Sequence, residues 1–289
     1  MIKDFIVGTK FVLSFAISLS ALFAYIMAKG EIHLEMFTAA FAVLLVAMGV
    51  STINQVQEYK EDSQMERTKH RPIASGKWSP TTGMMVAGVL IVLALILIYD
   101  LLGLSGLNLF LFSFIWYNGV YTPLKKKSAF AVIPGALLGV VPPAIGWLAA
   151  GESLLQVHFY ALGFFYFIWQ VPHFWLLVML HFGGYKDAGY PTVMKIFGED
   201  GLKRMTFVWL LFTIQAGAYL VTIFDPKSAI IFYLLILIGI FAAYSSFQVL
   251  NKKFELLHAR TVFWQINASF LGVIILLSAD VMMHTQAGA

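Results

Sequence analysis

The sequence predicts an all-α polytopic membrane protein with nine transmembrane helices. Three observations predict it. Hydrophobic residues make up 60% of the 289 and charged residues 12%, whereas a soluble domain carries roughly 45–50% apolar and about 25% charged residues. The apolar residues gather in runs of about the 20-residue length that crosses a hydrocarbon core. Of the 19 Lys and Arg residues, only Lys29 and Lys227 fall outside one set of loops, the asymmetry of the positive-inside rule. This composition excludes a soluble, disordered or fibrous chain. With no cysteine, disulfides, thiolate metal sites and cysteine nucleophiles are also excluded. The basic pI of about 9.1 reflects sorting of charge by membrane side, so no nucleic-acid partner is expected.

The spans read as 11–29, 34–53, 83–100, 104–121, 129–150, 155–180, 204–223, 228–250 and 261–282, in one domain over residues 1–289. The first has no small-residue cleavage site and the polytopic pattern runs straight on, so it is not a signal peptide. Nine spans put the amino terminus and the loops after spans 2, 4, 6 and 8 on the basic side. That side is expected to be cytoplasmic, with the carboxyl terminus across the cell's inner (plasma) membrane. Connections on the far side are short (101–103, 151–154, 224–227). Two cytoplasmic ones, 54–82 and 181–203, are long and polar, which is where function tends to gather.

Span 2 runs into S-T-I-N-Q-V-Q-E-Y-K-E-D-S-Q-M-E-R-T-K-H-R-P. Asn54, Glu58 and Asp62 are four apart, which stacks them on one face of a helix. Like charges at that spacing repel unless a cation sits between them. Oxygen donors so arranged suit Mg²⁺ that also holds substrate phosphates. Arg67, Lys69 and Arg71 follow, and guanidinium forks pair with phosphate oxygens. Acids and arginines together point to a metal–diphosphate site. The plainer reading is a solvated loop whose charges pair with each other. Against it, the acids begin at the end of an apolar span, where ionisable groups are expensive. Pro72 closes the run by disfavouring helix at Arg71.

Span 4 ends in Y-N-G-V-Y-T-P-L-K-K-K-S. Lys126 and Lys127 read as orientation signals. Lys125 is either a third such signal or a phosphate contact; it shares a face with Tyr121 if the helix persists past Pro123. In span 5, Gly135 and Gly139 form a small-residue pair for close helix packing. Pro142 and Pro143 break the helix, making either a plain kink or the wall of a pocket. Span 6 holds F-I-W-Q-V-P-H-F-W. There Gln170 and His173 lie within the apolar run, either as an interhelical hydrogen bond or as a functional site flanked by Trp169 and Trp175. The following loop carries Gly183, Gly184 and one acid, Asp187.

Together these segments resemble the intramembrane UbiA-type prenyltransferase superfamily, which includes the ubiquinone-pathway enzymes, over nearly the whole chain. The first family motif appears as Asn54, Glu58, Asp62 and M-E-R-T-K-H-R-P from Met65 to Pro72. Y-T-x-x-x-K at Tyr121 to Lys125, P-P-x-x-G-W at Pro142 to Trp147 and W-Q-x-P-H-F-W at Trp169 to Trp175 resemble the heme branch. Two departures stand out. Glu58 replaces the family's usual Asp, keeping the charge on a longer arm. Gly183-Gly184 stands where the family carries an acidic pair, leaving Asp187 as the acid of any second metal position.

The resemblance implies a bundle around a central cavity open to the cytoplasmic side. It implies transfer of the farnesyl group of farnesyl diphosphate to a vinyl group of heme b, with addition of water, for heme-copper oxidase assembly. Asn54, Glu58, Asp62 and Lys125 would then be catalytic, and Arg67, Arg71, Lys125 and Tyr121 would bind diphosphate. Mg²⁺ would sit on Asn54, Glu58, Asp62 and Asp187. Heme would contact His173, a candidate axial ligand, with Trp169, Gln170 and Trp147. Implied partners are farnesyl diphosphate, heme b, the bilayer and a heme A synthase or oxidase-assembly protein. The alternatives are prenylation of another aromatic or quinone-type acceptor, or a non-catalytic heme carrier.

Overall fold

A computed structural model describes residues 2–251 and 256–287, and among these it contains helices and no strand. In order they are α1 (Ile2–Gly8), α2 (Phe11–Lys29), α3 (Leu34–Gln57), α4 (Tyr59–Gln64) and α5 (Pro80–Phe114). A π-helical turn (Ile115–Tyr121) leads into α6 (Thr122–Lys125). Next come α7 (Val132–Ala136), a 3₁₀ turn (Leu137–Val140), α8 (Val141–Ala149), α9 (Val157–Leu180), α10 (Phe182–Asp187), α11 (Val193–Phe224), α12 (Ala229–Gln248) and α13 (Leu256–Ala287). Lys252 and Lys253, counted above on the basic side, lie outside the described residues.

Among the described residues, eight helical stretches are long and apolar enough to cross a membrane. The protein is an integral membrane protein. The nine-span reading divides at 100–104 what is here one 46-residue stretch, Pro80–Lys125. As a straight helix it would be about 69 Å long, against a hydrocarbon core of about 30 Å. It does not stay straight. Gly103 takes φ 56°, ψ −139°, a conformation open to glycine and little else. Beyond it the chain folds back: a Cβ on Gly106 would lie 3.0 Å from the Ile98 carbonyl oxygen. Gly83 near one end and Asn118 near the other both reach α3, Gly83 against Val56 and Asn118 through hydrogen bonds to Val50 and Gln57.

The helix starts follow from local chemistry. Ser79 Oγ accepts from Thr82 N with Pro80 at the first turn, and Thr192 Oγ1 accepts from Lys195 N. Such caps satisfy amides that have no partner inside the helix. Pro142 and Pro143 do not break a helix; they open α8, where a missing N–H costs nothing. The break falls upstream, in the 3₁₀ turn. α8 packs so tightly on α2 that a Cβ on Gly146 would lie 1.9 Å from the Ala21 carbonyl oxygen.

α3 is the most enclosed span and packs against α2, α5 and α8. Its ends define the two faces of the bundle. At one end, Gln55 Nε2 donates to Gly8 O at 2.7 Å, Val56 meets Gly83, and Glu58 meets Lys125. At the other, Gly30 abuts Thr285, and Asp280 accepts from the backbone N–H groups of Lys227 and Ser228. α1 and the end of α13 therefore lie at opposite ends of the bundle.

Candidate functional site

The acid ladder is not carried on one helix. α3 stops at Gln57, Glu58 sits at φ −123°, ψ 14° as its C-cap, and α4 starts afresh. The i→i−4 spacing survives the joint, because Glu58 N bonds Asn54 O (3.1 Å) and Asp62 N bonds Glu58 O (2.8 Å). Asn54, Glu58 and Asp62 are 2%, 3% and 2% exposed, so each needs partners, and each has them. Glu58 Oε2 accepts from Lys125 Nζ at 2.6 Å and Asn54 Nδ2 at 2.9 Å, while Oε1 accepts from Tyr190 OH at 3.2 Å. Asp62 Oδ2 accepts from Arg71 at 2.7 Å. Asn54 also donates to Thr122 Oγ1, and its Oδ1 accepts from Lys10 Nζ at 3.1 Å. Two carboxylates and an amide thus meet three basic side chains.

The π-helical turn brings Lys125 here. The wider winding turns Asn118 toward α3, where its Nδ2 donates to Gln57 Oε1 and its backbone carbonyl accepts from Gln57 Nε2. π-turns recur at functional sites. Helix continues past Pro123, so Lys125 and Tyr121 do share a face: the ammonium lies 5.6 Å from the ring centroid. Lys126 bonds the more exposed Glu61 instead.

Lys10, Thr122 and Tyr190 were not among the residues expected from sequence. Lys10 precedes the first span in a left-handed backbone conformation (φ 50°). Burial, with Arg71 and Lys125 pushing the same way and Asp62 and Glu58 opposing, lowers its ammonium pKa to about 7. Burial beside Glu58 raises the Tyr190 phenol well above its usual range. Tyr190 follows Asp187 in the same loop, but its contact with Glu58, 132 residues away, has no signal in the sequence.

Among the described residues, three expected residues make no hydrogen bond to the ladder. Arg67 is exposed. With His181, Gly183, Gly184 and Tyr185 it lines a cavity of about 280 Å³, and its charge joins burial in lowering the His181 pKa. Asp187 is exposed in the last turn of α10. Trp147 is 2% exposed, donates to Ser153 O at 3.2 Å and packs on Phe159 and Phe224. That places it at the first turn of α9, about 21 Å along the axis from His173, because the α8–α9 turn pulls the indole into the core at that end. A second cavity, about 290 Å³, is apolar and lined by α9, α11, α12 and α13. Neither cavity is lined by the acid ladder, which its own ion pairs close over.

His173, Trp169 and Gln170 stay together on α9. Pro172 is accommodated inside this helix. His173 Nδ1 lies 2.8 Å from Asn267 Oδ1 of α13, its ring 4.8 Å from Trp169 and 4.9 Å from Phe263 between centroids. Gln170 Oε1 and the Trp169 and Trp175 indole N–H groups are buried without a partner among the described residues.

Among the described residues no group of three or more His, Cys, Asp or Glu side chains could hold a metal ion. At the ladder, the oxygens of Asn54, Glu58 and Asp62 are the donors a metal would be offered. These fit Mg²⁺, which takes one or two carboxylates and completes its shell with water and substrate phosphates. The buried oxygens already face cations supplied by the chain itself.

The UbiA prenyltransferase family model matches residues 12–267. A relative from Oleidesulfovibrio alaskensis, named protoheme IX farnesyltransferase, is 41% identical over 179 residues, covering 61% of this chain and 62% of that protein's own length. A protein of the same name from Flavobacterium johnsoniae is 30% identical over 264 residues, 86% of each chain. A solved structure of a UbiA homolog from Archaeoglobus fulgidus, bound to GPP and Mg²⁺, superposes with a TM-score of 0.68 at 13% identity, covering 95% of this chain and 99% of that one. The chain belongs to the UbiA prenyltransferase family.

Proposed function

We propose that this chain is a magnesium-dependent prenyltransferase that joins the farnesyl group of farnesyl diphosphate to a vinyl group of heme b, adds water, and gives heme O and diphosphate. One observation carries the reading: a buried amide–acid–acid ladder meets Lys10, Arg71 and Lys125 at one end of the bundle. Arg71 and Lys125 already pair the two acids; Lys10, held on the neutral Asn54 with its pKa lowered to about 7, is a further donor that gains charge when a diphosphate arrives. The names of the Oleidesulfovibrio and Flavobacterium relatives and the ligands of the Archaeoglobus homolog support it.

The chemistry follows from charge. Breaking the farnesyl C1–O bond leaves negative charge on diphosphate and positive charge on the allyl group. Asn54, Glu58 and Asp62 would hold Mg²⁺, which when bound supplies Lewis-acid stabilisation of the leaving group. Arg71 and Lys125, released from their carboxylates, donate charge-assisted hydrogen bonds to phosphate oxygens. Lys10 adds a third donor and Arg67 guards the cytoplasmic approach. Aromatic faces stabilise the allyl cation, and the lipid surroundings keep water from quenching it. The vinyl carbon attacks C1, water adds to the resulting cation, and the proton it releases ends on diphosphate. His173, with Trp169 and Gln170, contacts the heme. The protein works in the cell's inner membrane, with its basic face cytoplasmic.

The test is reconstitution of the purified protein in lipid nanodiscs with heme b, farnesyl diphosphate and Mg²⁺. Expected are release of diphosphate and a product with the mass of heme O. Heme binding without diphosphate release would establish a carrier instead. Turnover only with a quinone-type acceptor would move the chain to another branch.

A further inference from the structure

The hydrogen bonds around His173 settle more than its position. Asn267 donates its amide nitrogen to the Phe263 carbonyl oxygen one turn back along α13. A carbonyl can only accept, so the Asn267 atom facing Phe263 is the NH₂ and the atom facing His173 is the oxygen. An amide oxygen cannot donate. The proton in the 2.8 Å bond to His173 therefore sits on Nδ1, and the neutral ring carries its lone pair on Nε2. Among the described residues, Nε2 has no hydrogen-bond partner. Trp169, Phe174 and Phe263 pack around the ring with centroids at 4.8, 5.5 and 4.9 Å, so it is held in orientation as well as in tautomer.

Other polar atoms nearby are also unspent. Trp169 Nε1, Gln170 Oε1 and Trp175 Nε1 on α9, and Gln265 Oε1 on α13, are buried without partners among the described residues. Native interiors rarely leave such atoms bare. Of the four, Trp169 Nε1 belongs to the ring packed on His173, whereas Gln170 Oε1 lies against Gly139 and Trp175 packs on Trp209 of α11.

We propose that Asn267 is a positioning residue that locks His173 in the Nδ1–H tautomer and so presents Nε2 as a ligand to the iron of the heme acceptor. The inference rests on the heme reading above. Groups that orient a metal-binding histidine fix its tautomer and tune its basicity. A neutral amide does the first without much of the second. It holds the N–H but does not draw the ring toward imidazolate, as a carboxylate would. That suits iron bound in a substrate that must leave after each turnover.

The test uses the full-length protein in detergent, titrated with heme b and followed by absorption and by EPR of the ferric form. The wild type is expected to give a histidine-ligated spectrum and His173→Ala to lose it. Asn267→Leu should weaken heme affinity about 10- to 100-fold and reduce the histidine-ligated fraction. Asn267→Asp should restore affinity and lower the reduction potential of the bound heme, a change that a merely structural role would not produce. Inorganic diphosphate affinity, read in parallel, should not change. If Asn267→Leu keeps wild-type affinity and spectrum while His173→Ala loses ligation, the role of Asn267 is overturned and the heme reading stands. If His173→Ala itself keeps the wild-type spectrum, both fall. If Asn267→Leu loses diphosphate and heme binding together and Asn267→Asp rescues neither, Asn267 is structural and the proposal is overturned.

Discussion

Lys125→Met keeps most of the stem of this side chain and removes its charge. Lys125 Nζ lies 2.6 Å from Glu58 Oε2, with the side chains 24% and 4% exposed. Breaking a buried pair costs about 3–5 kcal/mol. With one partner a quarter exposed, the lower end applies, so unfolding should lose about 3 kcal/mol. Toward substrate, the variant loses a hydrogen bond to a charged group, about 1.5–3 kcal/mol, or about 10- to 150-fold in affinity at 1.4 kcal/mol per decade. Lys126→Met is the control. Its pair with Glu61 has the same 2.6 Å length, but the side chains are 35% and 26% exposed. Such pairs are worth about 0.2–1 kcal/mol, at most about a fivefold effect. Calorimetric titration of a farnesyl thiodiphosphate into nanodisc-embedded protein with Mg²⁺ measures both variants. Equal affinities for the two would refute the assignment of Lys125 and the use of burial to rank the lysines.

Asp62→Asn should abolish prenyl transfer while leaving heme affinity unchanged; turnover at the wild-type rate in the reconstituted assay would defeat the metal assignment. Tyr190→Phe removes one donor to the buried Glu58 carboxylate, at 3.2 Å, and should cost about 1–2 kcal/mol in denaturant unfolding, with no loss meaning that the phenol is not engaged. Gly146→Ala puts a methyl against the Ala21 carbonyl oxygen, a backbone atom that cannot turn aside, and should cost at least about 1–3 kcal/mol. A wild-type melting temperature for it would contradict the α2–α8 packing.

The ladder was legible because its information is local. Spacing of four and the expense of ions at a span's end both show within 20 residues. Its surroundings were not. Lys10 reaches Asn54 across 44 positions and Tyr190 reaches Glu58 across 132, and no periodicity encodes such pairings. Glu58 was read as the middle of a helix and is a joint between two, which leaves its carboxylate free to meet both Lys125 and Tyr190. Apolar runs located the spans, but whether residues 80–125 form one element or two depends on the dihedrals of Gly103. Trp147 sits in a motif beside prolines that read as pocket-forming, yet the α8–α9 turn draws it to the first turn of α9. Asn267 had no signal at all: a lone amide in the last span acquires meaning only opposite His173.

The account turns on a divalent ion and a diphosphate meeting at the Gln57 end of α3. Anomalous diffraction from crystals grown with Mn²⁺ and a farnesyl thiodiphosphate tests this directly. The expected manganese peak touches oxygens of Asn54, Glu58 and Asp62, with Arg71 and Lys125 swung onto the diphosphate. A peak away from these three side chains, with the Glu58–Lys125 and Asp62–Arg71 pairs intact, would contradict it.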